Sequence, residues 1–212
     1  MSETDRLTGC ISQIDLDVVE REATPRLFMK LGIQLHLTCL SLAKTASILD
    51  VFSIHFARST VHNWVHKAKL QPVSGQHPDH VAVDETVIQL DGERYWLYAA
   101  VDVDTNDLLH TKLVSTRNKV LANSFFAELR EKHDVDDAGF LFDGDHSLQY
   151  AYHHHHRLTF RYERQGIQNS AERVFREVKR RTFSFFSSFS HAQLETADQW
   201  LGSLAFAKNR LI

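Results

Sequence analysis

The chain has 212 residues, 43% of them apolar and 24% charged, and a formal net charge of −3. This length is enough for one ordinary domain and a smaller one around a real hydrophobic core. The two cysteines, Cys10 and Cys39, lack metal-site or disulfide spacing, which favours a reducing cytoplasmic interior over secretion. We find no signal peptide and no apolar run of about 18 residues, which argues against a membrane protein.

The small net charge conceals an uneven distribution along the chain. Residues 84–145 carry 14 acidic and 6 basic side chains, whereas residues 157–181 carry 8 basic and 3 acidic ones. A carboxylate-rich block followed by a cationic segment suits a metal site beside a channel for phosphates. A solvated acidic face is the alternative, and it is our interpretation of Asp134, Asp136 and Asp137.

The N-terminal third of the chain is predicted to be helical. Residues 1–34 are weakly patterned, with a short helix expected over Asp15–Arg26 that stops near Pro25. From Leu35 the spacing of apolar residues predicts one helix through Asp50. A further helix is predicted from Ser59, whose side chain suits an N-cap, through Leu70.

Two short helices joined this way predict a helix-turn-helix DNA-binding region over residues 35–70, with the second helix as recognition helix. Its outer face carries four side chains able to reach bases or phosphates: Thr60, Asn63, His66 and Lys67. A helical hairpin with Trp64 in its core is the alternative. Residues 71–79, which include Pro, Gly and Ser, are predicted to be a linker.

Beyond the linker, residues 80–212 show three meandering strands followed by alternating helices and strands. This order predicts a mixed α/β sheet with flanking helices. The first two strands are expected to form a hairpin around the four-residue turn Asp91–Arg94. The predicted strands are residues 80–90, 95–104, 108–115, 139–144 and 158–164, with an amphipathic helix at Asn118–Lys132.

Three carboxylates stand in separate local contexts. Asp84 lies inside the apolar run HVAVDETVIQL, Asp143 closes the run GFLFD, and Glu172 opens the basic helix NSAERVFREVKRRT. Two strand acids and one helix acid can converge as oxygen ligands for hard cations such as Mg²⁺. Two such ions about 3.5–4 Å apart can clamp the attacking and leaving oxygens of a phosphodiester. The sequence therefore favours metal-dependent chemistry on nucleic acid.

The phrases VAVDET, FLFDGD and NSAERVFREVKRRT, in this order, resemble the catalytic core of a DDE transposase of the insertion sequence 6 family, in particular its archaeal, haloarchaeal-like branch. The resemblance implies an RNase H-like fold and two Mg²⁺ ions, replaceable by Mn²⁺, held by the catalytic residues Asp84, Asp143 and Glu172. It further implies strand transfer without a covalent enzyme intermediate. The expected partners are terminal inverted repeats, target DNA and further copies of the chain.

The basic helix carries cations at spacings of three or four residues from Glu172, so they share one side. Arg176, Lys179 and Arg180 are therefore predicted to position DNA phosphates. The resemblance also implies a Lys or Arg seven residues after the Glu, which is Lys179. The alternative is a surface ion-pair ladder such as Glu172 with Arg176, worth about 0.2–0.5 kcal/mol.

Several alternatives concern the second half of the chain. Asp145 competes with Asp143 as the second ligand, although it follows Gly144 and is expected to cap a helix. His153–His156 is interpreted as a polar helix surface rather than a metal site. The segment between Asp143 and Glu172 is shorter than is usual in the wider family, which fits either the archaeal branch or a decayed copy. A metal nuclease that cuts without joining and an inactive DNA-binding relic stay open as functions.

Overall fold

The structure is a computed structural model, and the chain divides into two compact units. One unit is Met1–Gln71 with Gly202–Ile212, and the other is Pro72–Leu201. No helix in the described part of the chain is long and apolar enough to cross a membrane. The described residues are 12–16, 24–38, 40–53, 55–142, 159–160, 172–174, 176–177, 180 and 193–211.

The first unit contains helices α1 (Arg26–Leu37), α2 (Leu42–Asp50) and α3 (Arg58–Ala68), which pack on one another. Trp64 of α3 is fully buried between them, and its ring meets Phe56 edge-on with centroids 4.7 Å apart. A Cβ atom on Gly32 of α1 would lie 3.1 Å from the Trp64 ring. The absence of a side chain at Gly32 therefore allows α1 and α3 to approach closely.

Two of the predicted helix boundaries before residue 50 are wrong. Residues 14–16 are not helical, residues 17–23 lie outside the described residues, and α1 begins directly after Pro25. Proline is tolerated there because its missing N–H is not needed at a helix start. The helix predicted over Leu35–Asp50 is two helices, because Ser41 accepts a hydrogen bond from Lys44 N–H at 3.3 Å and starts α2 afresh.

The predicted N-cap of α3 is also wrong. The helix begins at Arg58 with Ala57 as N-cap, and Ser59 lies inside its first turn. The Ala57 carbonyl accepts a hydrogen bond from Thr60 N–H at 3.0 Å, so the turn closes without a side-chain cap. The helix ends where Lys69 adopts a φ of 44°, a left-handed conformation that cannot continue it.

The second unit is built on a five-stranded sheet in the order β3-β2-β1-β4-β5. The first three strands form an antiparallel meander, while β4 runs parallel to β1 and β5 parallel to β4. The strands are β1 (His80–Leu90), β2 (Glu93–Asp102), β3 (Leu108–Val114), β4 (Gly139–Phe142) and β5 (Thr159–Phe160). This order and these directions are those of an RNase H-like sheet, so the predicted fold class is confirmed.

The hairpin turn is tighter than predicted. Asp91 and Gly92 both have positive φ, 50° and 84°, as a two-residue type I′ turn requires. The ladder therefore resumes at once with Leu90 opposite Glu93, and β2 begins two residues earlier than the sequence pattern suggests.

Helix α4 (Lys119–Lys132) covers one face of the sheet. It begins as predicted at Asn118, whose side chain accepts a hydrogen bond from Leu121 N–H at 2.9 Å. Val81 and Val83 of β1 share a buried apolar cluster with its Phe125 and Phe126. Because side chains alternate along a strand, Asp84 lies on the opposite face of β1 from these valines.

A buried polar network connects β3 with α4. His110 is 4% exposed; its Nδ1 accepts a hydrogen bond from Lys132 Nζ at 3.1 Å, and its Nε2 donates to Glu128 Oε2 at 3.2 Å. Burial and the neighbouring Lys132 charge lower the pKa of His110 to about 4. Burial alone would raise the pKa of Glu128, but the hydrogen bond and charge of Lys112 outweigh it and lower this pKa. The imidazole is therefore neutral at neutral pH.

Helix α5 (Leu194–Arg210) completes the described structure. Within the second unit, Asp198 accepts a hydrogen bond at 2.6 Å from the backbone N–H of Leu113, on the edge strand β3. Burial raises the pKa of the Asp198 carboxyl. Within the first unit, the Ser203 hydroxyl donates to the carbonyl of Leu70 at 3.2 Å.

Candidate functional site

Asp84 is a half-buried acid in the middle of a strand that is otherwise largely apolar. It follows three buried residues of β1 and lies opposite Ala99 of β2. Its Oδ1 accepts a hydrogen bond from the backbone N–H of Glu85 at 2.7 Å. A charge-assisted bond of this kind fixes the orientation of the carboxylate. Asp84 is therefore an oriented oxygen donor at the sheet surface, away from α4.

The parallel ladder between β1 and β4 ends next to Asp84. Its last described pair is Val83 with Phe142, and the next residue in sequence after Phe142 is Asp143. Asp143 lies outside the described residues, as do its competitor Asp145 and the run His153–His156. Their predicted roles stay predictions.

Glu172 is among the residues that the structure describes, and it is helical and exposed. Val174, two residues later, is 3% exposed, so this helical stretch buries one side while Glu172 stands on another. Arg176 is helical and exposed as well, and Lys179 lies outside the described residues. Arg180 donates a hydrogen bond to Glu177 at 2.9 Å. This ion pair is not the one that the sequence suggested, which was Glu172 with Arg176.

No three potential metal ligands among His, Cys, Asp and Glu come together within the described ranges. These ranges include Asp84 and Glu172 but not Asp143. The donor set that the sequence predicts consists of three carboxylates, which are hard oxygen donors of the kind that Mg²⁺ binds. Asp84 fits such a role because its carboxylate is oriented and half-buried.

The helix α3 divides its residues between two faces. Val61, Trp64, Val65 and Ala68 are buried, whereas Asn63 and Lys67 are exposed and Thr60 and His66 are half-buried. All four residues predicted to reach DNA are thus accessible to some extent. A helix that is apolar on one side and polar on the other presents its polar face to a partner or to solvent.

His62 on the same helix is a neighbour of His66 that the sequence pattern did not single out. It is exposed, and its ring centroid lies 4.3 Å from that of His66. The spacing of four residues was the available signal, because such residues are neighbours on a helix. Burial lowers the pKa of the nearby His36, and the charges of His62 and His66 lower it further. A hydrogen bond to the Leu40 carbonyl opposes this shift but does not cancel it.

Comparison with known families decides the identity of the second unit. A family model described as a DDE domain, that of IS240-type transposases, matches residues 79–193. The chain belongs to this DDE transposase family, of the insertion sequence 6 type. As an enzyme of this family, the transposase acts on DNA through strand cleavage and transfer.

The transposase is also similar to individual proteins. The uncharacterized protein MJ0017 of Methanocaldococcus jannaschii is 26% identical over 175 residues, which cover 80% of this chain and 79% of that one. The catalytic core domain of BIV integrase is 14% identical, with a TM-score of 0.46, and covers 62% of this chain and 83% of its own. The HTLV-2 integrase catalytic core in complex with magnesium is 13% identical, with a TM-score of 0.48, and covers 65% of this chain and 91% of its own.

Proposed function

We propose that this transposase catalyses metal-dependent cleavage at the ends of an insertion element and transfer of the released ends to target DNA. Asp84, Asp143 and Glu172 are the proposed ligands for two Mg²⁺ ions, with Mn²⁺ as a substitute. The observation that carries the proposal is the β1–β4 register, in which Val83 pairs with Phe142. In sequence, Asp84 directly follows Val83 and Asp143 directly follows Phe142.

The proposed chemistry exchanges one phosphodiester oxygen for another. A water molecule attacks the phosphorus at the element's end, and the P–O3′ bond breaks, which leaves a 3′-OH on the element and a 5′-phosphate on the flanking strand. The 3′-OH then attacks a phosphodiester of the target DNA, and the target's own 3′ oxygen leaves as a new 3′-OH. The carboxylates provide charge and position, and no side chain acts as a covalent nucleophile. When bound, two divalent ions stabilise the attacking and leaving oxygens.

Residues on the basic helix would hold the same DNA strand. Arg176 is exposed, and Arg180 is 65% exposed even though it pairs with Glu177. We propose that Arg176, Lys179 and Arg180 contact phosphates, which supplies affinity without sequence information. A surface ion pair such as that of Arg180 contributes at most about 1 kcal/mol, so a phosphate can replace its carboxylate partner.

The function is tested by a joining assay with DNA taken from the regions that flank the gene. A duplex with a pre-nicked element end and a supercoiled target plasmid are incubated with the protein and Mg²⁺, and joined product is measured. We expect joining that requires a divalent ion and that EDTA abolishes. Cleavage without joining would instead identify a nuclease, and binding without either reaction would identify an inactive relic.

The first unit would recognise the terminal inverted repeats, through a helix-turn-helix over residues 35–70 with α3 as recognition helix. The support is the exposed face of α3 opposite the buried Trp64. Asn63 suits base recognition because its amide can pair with adenine in the major groove. Lys67 suits phosphate contact because its exposed ammonium is a point charge.

Substitutions on α3 separate these two roles. Lys67→Ala is expected to lower the salt dependence of repeat binding by about one unit of slope. Asn63→Ala is expected to lose about 1–3 kcal/mol of discrimination between the repeat and unrelated DNA. Both are measured by fluorescence anisotropy over a salt series, with Lys30 of α1, which precedes residues 35–70, changed to Ala as a charge-matched control. Equal effects of Lys67→Ala and Lys30→Ala would remove α3 from the proposed interface.

We further propose membership of the archaeal branch and assembly of several copies on DNA. The relative from Methanocaldococcus jannaschii, which matches over most of both chains, supports the first point. The second follows from the reaction, because two element ends and one target must meet in one complex. A single band-shift species that contains two labelled ends would support assembly.

A further inference from the structure

The outer face of α3 lies opposite the residues that this helix buries. The buried residues are separated by three, one and three positions: Val61, Trp64, Val65 and Ala68. A shift of two residues along an α-helix is a rotation of about 200°, slightly more than half a turn. The same spacing, begun two residues earlier, therefore faces away from the buried side. We call these residues the outer stripe, and they are Ser59, His62, Asn63 and His66.

The burial of these side chains agrees with this geometry. Ser59, His62 and Asn63 are exposed. His66 is half-buried, and the ring of His62 lies against it with the ring centroids 4.3 Å apart. Hydroxyl, amide and imidazole groups all carry hydrogen-bond donors and acceptors. The outer stripe is thus a row of hydrogen-bonding groups without an apolar side chain, which is unsuited to packing against another helix.

Cations lie along both edges of the outer stripe. Arg58 precedes His62 by four residues and Lys67 follows Asn63 by four, and both cations are exposed. Because residues four apart are neighbours on a helix, Arg58 borders the stripe on the His62 side and Lys67 borders it on the Asn63 side. The helix contains no Asp or Glu. Its outer face therefore complements a polyanion that also presents hydrogen-bonding groups.

The major groove of duplex DNA has the matching arrangement of groups. Its floor presents the donors and acceptors of the base edges, it is wide enough for one α-helix, and a phosphate backbone follows each side. We infer that α3 lies in this groove with the outer stripe toward the bases, so that His62 contacts a base edge. Arg58 then contacts the phosphate backbone on the side opposite to Lys67. This inference rests on the proposed function and adds two DNA contacts to it.

Binding to altered repeats tests the role of His62 in the full chain. The probes are fluorescein-labelled duplexes of the terminal repeat from the DNA that flanks the gene, each with one base pair changed, and one unrelated duplex. His62→Ala is expected to lower the preference for the repeat over the unrelated duplex about tenfold, the scale of one lost hydrogen bond to a base. The loss should be confined to one or two base pairs, and the salt slope should stay unchanged. His77→Ala, at an exposed histidine of the second unit, should keep every preference.

The salt dependence of binding tests the role of Arg58. Arg58→Ala should weaken binding to the repeat and to the unrelated duplex by the same factor, and it should lower the salt slope by about one unit. Arg58→Lys should retain the slope because it keeps the charge. Arg26→Ala is the matched control, because Arg26 is an exposed arginine of α1 outside residues 35–70. It should leave the slope unchanged.

The outcomes separate this inference from the proposed function. Unchanged base preferences in His62→Ala, or a loss of affinity that is equal for all duplexes, would overturn the contact of His62 with a base. An unchanged salt slope in Arg58→Ala would overturn the phosphate contact. If Asn63→Ala and Lys67→Ala still act as expected, α3 stays the recognition helix and only its orientation in the groove is wrong. A wild-type protein that does not distinguish the repeat from unrelated DNA would refute the recognition role of the first unit and this inference with it.

Discussion

Asp84→Asn, Asp143→Asn and Glu172→Gln will each lower DNA joining at least about 100-fold while DNA binding stays close to wild type. Each substitution keeps the shape of the side chain and removes one anionic oxygen ligand. Loss of a group that only supports a metal ligand already costs about 10–100-fold, so loss of a ligand itself should cost at least as much. Joined product and anisotropy are measured side by side at equal protein concentration.

Asp145→Asn is the matched control for Asp143→Asn, because the two acids are two residues apart and the substitutions are chemically the same. We expect Asp145→Asn to retain joining and to lower stability by no more than about 0.5–2 kcal/mol if this side chain caps a helix. Near-normal joining by any of the three ligand variants would remove that residue from the proposed site. Loss of joining in Asp145→Asn but not in Asp143→Asn would exchange the two assignments.

Acidification from about pH 7 to about pH 5 will lower the free energy of unfolding of the second unit by about 2 kcal/mol through His110 alone. The pKa of His110 is about 4 in the folded protein against 6.5 in the unfolded chain, so between these values the unfolded chain binds the proton more readily. Stability is therefore complete above pH 6.5 and falls progressively toward pH 4. Urea unfolding at a series of pH values measures the slope.

His110→Gln should remove most of this contribution, because an amide can still donate to Glu128 and accept from Lys132 but does not titrate. A smaller slope will persist, since burial also lowers the pKa of His133 in the same unit. His77→Gln is the matched control, because His77 is 73% exposed and pairs with Asp134 at the surface. If both variants keep the wild-type slope, the buried network does not govern acid stability. The raised pKa of Asp198 acts in the opposite sense, because the folded chain then binds this proton more readily than the unfolded chain does. Asp198 is present in the wild type and in both variants, so comparison of their slopes isolates His110.

Local rules account well for the sheet and less well for the N-terminal helices. The alternation in β1 and the pair Asp91 and Gly92 suffice to predict the hairpin. The apolar spacing of the helices, in contrast, continues across a real break after Leu37. There the Thr38 hydroxyl donates to the carbonyl of Gln34 at 2.7 Å and Ser41 caps a new helix. Side-chain hydrogen bonds that compete with those of the helix backbone do not disturb the apolar periodicity. A prediction based on hydrophobicity therefore does not detect this break.

In the candidate site, too, some features can be predicted from the amino-acid sequence and others cannot. An acid inside an apolar strand is visible in the amino-acid sequence, which is enough to make Asp84 a candidate ligand. The partner of Glu85 is not visible, because Arg117 lies 32 residues away and meets it only after three strands have paired in register. The connection between His110 and Glu128 likewise depends on how α4 lies across the sheet. Contacts of this kind are properties of the topology rather than of any local pattern.

The hydrogen bond from Leu113 N–H to Asp198 has a consequence for synthesis on the ribosome. Strand β3 is complete long before residue 198 leaves the exit tunnel, so the nascent chain carries an uncovered strand edge during that interval. Exposed edges of this kind pair with other chains. Slow translation between β3 and α5 would therefore lengthen the period in which this strand edge can pair with other chains.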